Sequence, residues 1–76
     1  ETKETILNNK VKNNRLNVDK ETIEYISKKA DLNVKEMIGI VNTVDSYNKL
    51  LQEKMPKEKL DRIIRDITKN HKNHNF

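Results

Sequence analysis

Lys35 is the residue of this chain whose type and position come nearest to chemistry. It lies in the run Asn33-Val-Lys-Glu-Met-Ile-Gly-Ile-Val-Asn42, two residues after Asn33 and one before Glu36. Asn33 and Glu36 have the spacing of a capping box, with Asn in place of Ser or Thr, so a helix is expected from about residue 34. Lys35 then falls in the first turn, where free N–H groups and the helix dipole favour an anion. A cation there is disfavoured locally, a conflict of the sort found at functional sites. It would meet a phosphate as a point charge, without the fork of an arginine. The plain alternative is a solvated first-turn lysine.

A second cationic group lies at the C-terminal end. The formal charge of the 76 residues is +4. Residues 1–53 balance nine Lys/Arg against nine Asp/Glu, so the excess falls in residues 54–76, with seven basic and three acidic side chains. Lys57, Lys59, Arg62, Arg65 and Lys69 would be the phosphate contacts if this end faced nucleic acid. A solvated helix face accounts for the same pattern, because acidic residues are interspersed.

Other site chemistries lack their residues. There is no Gly-rich phosphate loop and no Ser/His/Asp or Cys/His set. The chain has no cysteine, which excludes disulfides and thiolate metal sites and fits a reducing compartment. His71 and His74 are three apart with only Asp66 nearby, too few ligands for a metal. Tyr25 and Tyr47 have rings that stack on bases in other settings, but each lies in an apolar run and is expected to pack. Asp61 and Arg65 are spaced for a surface ion pair, and Asp45 lies inside an apolar arc, facing outward or paired with a base from another helix. Catalysis by this chain alone is not expected.

These side chains need scaffolding, and the periodicity is helical throughout. Helices are expected at about 2–14, 20–30, 34–53 and 56–69. Ile6, Leu7 and Val11 form a thin stripe on the first. Asp19 caps the second, with Val18 as a staple and Ile23, Ile26 and Ala30 on one buried face. Positions 34, 37, 38, 40, 41, 44, 47, 50 and 51 make the third apolar over a wide arc, as a central helix is. Gly39, the only glycine, is expected to let a neighbouring helix approach closely. Pro56 opens the fourth, where Leu60, Ile63, Ile64 and Ile67 recur at i, i+3, i+4, i+7. The expected fold class is all-α, a small four-helix bundle in one domain over 1–70, with a polar tail at 71–76. Apolar residues are 33% and charged residues 37%, enough for a modest core. No apolar run approaches the roughly 18 residues of a membrane span, and no signal peptide is visible.

The run NVKEMIGIVN resembles a motif of the bacterial replication initiator DnaA family, approximately N-[VI]-R-E-L-E-G-A-L-N. Asn33, Val34, Glu36, Gly39 and Asn42 match, with Lys35 for Arg, Met37 for Leu and Val41 for Leu. LNVDKETIEYISKKAD and ILNNKVKNNRLNV resemble the stretches before that motif, and residues 56–66 resemble the helix that closes the subdomain. The resemblance covers roughly residues 5–68. It implies the helical lid of an AAA+ ATPase, with ATP held between this lid and an α/β subdomain that also binds magnesium. Lys35 stands at the sensor-2 position, so Lys35 with Asn33 beside it are the implied nucleotide-binding residues. The implied partners are the α/β subdomain of a parent chain, neighbouring initiator protomers and origin DNA, in the cytoplasm and away from membranes. Lys replaces Arg at sensor 2, Ile38 replaces a Glu, and the chain itself holds neither Walker motifs nor a helix-turn-helix. The chain begins at Glu1 rather than Met, as a piece of a longer protein would. Two other functions compete with the lid: nucleic-acid binding through the fourth helix, and a protein–protein adaptor using an apolar groove around Ile38 and Ile40.

Overall fold

The computed structural model describes residues 2–72, with side chains described as far as Lys69. Four helices follow one another: α1 (Lys3–Asn14), α2 (Lys20–Ser27), α3 (Val34–Leu51) and α4 (Lys57–Lys72). No strand occurs among the described residues, so the fold is the expected all-α four-helix bundle.

Side-chain caps fix where three of the helices start. Thr2 Oγ1 accepts from Thr5 N at 3.1 Å, and Asp19 Oδ1 accepts from Thr22 N at 3.0 Å. Each satisfies one of the amides that a helix start leaves free. At α3 the full box forms: Asn33 Oδ1 accepts from Glu36 N at 2.8 Å, and Glu36 Oε1 accepts from Asn33 N at 2.9 Å. Val18 and Ile23, the residues before and four after the Asp19 cap, are both buried as the staple geometry requires. The ends of α1 and α3 turn through Arg15 and Gln52, both at φ 53°. The chain's one glycine is elsewhere, so ordinary residues carry these left-handed caps.

α3 packs against each of the other three helices, which is the central place its wide apolar arc implied. Met37, Ile40, Val41 and Val44 are buried along it. Each contributes roughly 1.5–3 kcal/mol from apolar burial. Leu7 comes from α1, Ile23 and Ile26 from α2, and Leu60 and Ile64 from α4; Val18, Leu32 and Met55 come from the loops. The whole measures 38 × 31 × 17 Å, a thin slab of helices.

Four local expectations are corrected. Ala30 is exposed and lies beyond the end of α2, which stops at Ser27, so it is not part of the buried face. Leu50 and Leu51 are 82% and 49% exposed, so the apolar arc of α3 is not buried at its C-terminal end. Gly39 is exposed, and a Cβ built on it would meet nothing within 4 Å, so no neighbouring helix approaches there. Ile40 is buried and Ile38 packs half-buried on the core, so Ile40 does not line an exposed surface as expected. α4 is described as far as Lys72, and residues 73–76 of the expected tail lie outside the described residues. His74 lies outside the described residues, as does the side chain of His71.

Candidate functional site

The capping box holds the start of α3 rigid, and Lys35 projects from it. Lys35 is exposed and makes no ion pair or hydrogen bond among the described residues. The Asn33 carbonyl oxygen is committed to Glu36 N, so Asn33 acts as the cap and keeps only its amide NH2 for an outside group. The Glu36 carboxylate closes on Asn33 N. Helix geometry leaves the amides of Val34 and Lys35 without intrahelical acceptors. A second cation arrives from α1: Lys3 Nζ reaches the Leu32 carbonyl at 3.4 Å, two residues before Val34. Only the fold brings Lys3 here, and no local pattern marks it. The arrangement is a capped helix start with one free ammonium and another close by, open to solvent. It suits an anion such as phosphate, held against the outer end of α3.

The five basic residues of the fourth helix separate into two groups. Lys57 lies over the Tyr25 ring at 4.6 Å, with Lys29 at 4.4 Å from the same ring, and Lys59 lies over Tyr47 at 5.5 Å. These lysines hold on to the protein's own aromatics. Arg62, Arg65 and Lys69 are exposed and take part in no ion pair among the described residues. The tyrosines are half-buried, and the Tyr25 hydroxyl donates to the Asp61 carboxylate. Asp61 is therefore engaged with α2, and the surface pair expected with Arg65 does not form.

Asp45 faces inward. It accepts from the Asn17 amide at 2.6 Å and pairs with Lys49, one turn along its own helix, at 3.0 Å. The Asn17 hydrogen bond holds its carboxyl below the usual range, against burial, with Lys49 adding to the effect. Beside it Asn48 is buried and joins two loops: Nδ2 donates to Asn17 O at 2.7 Å, and Oδ1 accepts from Met55 N at 2.7 Å. Lys54 binds Asp19 at 2.8 Å and Glu21 at 3.0 Å, and these carboxylates raise its pKa. These residues are structural, and sequence reasoning missed Asn48 because its partners are remote in the chain.

A concavity of about 420 Å³ lies between α2 and the start of α4. Tyr25, Lys28, Met55, Pro56 and Leu60 are among its walls, and Lys35 is not. Among the described residues no cluster of His, Cys, Asp and Glu is placed to hold a metal. No helix of the described residues is long and apolar enough to cross a membrane.

Fold and site together define a small helical bundle with a free cation at the capped start of its central helix. No protein-family model, curated protein or solved structure matches the chain.

Proposed function

We propose that this chain is the helical lid of a DnaA-like, ATP-dependent replication initiator, with Lys35 as its sensor-2-type contact to the nucleotide phosphates. The observation that carries the proposal is the state of Lys35: an exposed ammonium with no ion pair among the described residues, in the first turn of a helix whose capping box is closed. The first turn repels a cation, and no internal partner compensates it, so an external anion is the natural counter-charge. The residues fit a phosphate in part. Lys35 Nζ and the free α3 amides are donors, and Lys3 adds charge beside them. ATP supplies the anionic phosphates, and its base and magnesium would be held by the α/β subdomain of the parent chain.

On this reading Lys35 binds and orients phosphate oxygens, while α3 carries that contact to α1, α2 and α4, all of which it touches. The lid would shift as a body when nucleotide is bound or lost, and so pass nucleotide state to neighbouring protomers on origin DNA. Gly39 and Asn42, both exposed on α3, leave room along the same helix for the α/β subdomain.

The reading frame upstream of Glu1 tests this. A strand followed by G-x-x-x-x-G-K-[ST], and then an acidic Walker-type strand, is the expected result. A frame with no phosphate loop would end the proposal.

A further inference from the structure

We propose that the outer face of α4 is a docking strip for the phosphate backbone of duplex DNA, made by Arg62, Arg65 and Lys69. The three are spaced i, i+3, i+7, which puts them on one line of the helix. That line lies opposite Leu60 and Ile64, which are buried. All three are exposed, and none is in an ion pair among the described residues. The strip does not depend on the nucleotide reading of Lys35.

Its length fits its occupant. Seven residues of helix at about 1.5 Å each span about 10 Å. A DNA strand advances about 3.4 Å per phosphate along its axis, so the strip faces about three phosphates. The structure favours duplex over single strands, because single-strand binding relies on aromatic platforms. Both described aromatics are taken: Tyr25 lies under Lys29 and Lys57 and donates to Asp61, and Tyr47 lies under Lys59. Lys57 and Lys59 are drawn off by those rings, which leaves Arg62, Arg65 and Lys69 as the contacts. Glu58 and Asp66 are exposed on the same helix, each one turn from Arg62. They thin the field, so binding is weak, independent of sequence and steeply dependent on salt.

The test is fluorescence anisotropy with a labelled mixed-sequence duplex, titrated with the 76-residue chain between about 50 and about 200 mM salt. Binding at low salt is expected, with log K falling against log salt at a slope of about −2.7, about 0.9 for each of three phosphates. The combined variant Arg62→Gln, Arg65→Gln, Lys69→Gln is expected to lose affinity about tenfold or more and most of the slope. Lys12→Gln, Lys20→Gln, Lys28→Gln removes the same charge from exposed positions elsewhere and is expected to change little. Asp66→Asn is expected to bind more tightly. Circular dichroism reports folding; if the combined variant is unfolded, Arg65→Gln alone is expected to cut the slope by about one. Absence of binding at the lowest salt, or equal losses in the two triple variants, would overturn the proposal. Binding to polyglutamate with no binding to the duplex would overturn it in favour of an acidic protein partner.

Discussion

Lys35 and Gly39 lie one turn apart on α3, and neither is explained by what surrounds it inside the bundle. Lys35 has no counter-charge among the described residues, and Gly39 has no neighbour that would exclude a methyl group. For Gly39 this gives a sign. A helical glycine costs about 1 kcal/mol relative to alanine, and nothing here offsets that cost. Gly39→Ala is therefore expected to stabilise the isolated chain by up to about 1 kcal/mol in urea titrations, with the slope of the transition unchanged. A loss of stability would mean that Gly39 does meet another helix. The sequence run announced both residues but not their surroundings. Close packing at Gly39 was expected from residue type, and whether a helix lies opposite depends on how four elements assemble.

At the scale of elements, the helices were legible because their start signals are local. Asp19, Asn33 and Pro56 stand at the starts of α2, α3 and α4, and the repeats of Ile, Leu and Val set which faces are buried. The loops were not legible, because polar residues of α3 organise them. Asn48 ties the α1–α2 loop to the α3–α4 loop through Asn17 O and Met55 N. Asn48→Ala leaves buried groups unmatched and is expected to cost about 1–3 kcal/mol. For a domain this small, each 1 kcal/mol corresponds to a fall in Tm of about 4–8 °C, measurable by calorimetry. Asp45 anchors the same loop and has its carboxyl lowered by the Asn17 amide. Asp19 is also lowered: burial pushes it up, but Lys54 and Thr22 together outweigh that. Both carboxyls bind protons more weakly folded than unfolded. Their stabilisation is complete above an unfolded carboxyl pKa of about 3.9 and is lost as pH falls through the lower folded values. Asp45→Asn is expected to be less stable at neutral pH and to show a flatter loss of stability below about pH 4 in acid-unfolding curves. An acid limb identical to wild type would contradict this role for Asp45.

For the whole molecule, the arrangement is a thin slab whose core is modest and whose cations are unevenly used. Several lysines are absorbed internally: Lys29, Lys57 and Lys59 on tyrosine rings, Lys49 and Lys54 on carboxylates. Lys35 and the line Arg62–Arg65–Lys69 are in no ion pair among the described residues, Lys35 at the start of α3 and the line on α4. Composition located the basic excess in the C-terminal third, but only the fold separates cations held by the protein from cations left for an outside anion. On the proposed reading, the free ammonium at the capped start of α3 is what this bundle contributes to a nucleotide site. The most direct measurement is the ATP affinity of the complete polypeptide that carries this chain, wild type against Lys35→Ala and Lys35→Arg. A lost charged hydrogen bond of about 1.5–3 kcal/mol predicts weakening of at least about tenfold for Lys35→Ala. Lys35→Arg is predicted to bind at least as tightly as wild type. Equal ATP affinity in wild type and Lys35→Ala would contradict the assignment of Lys35 and, with it, the lid.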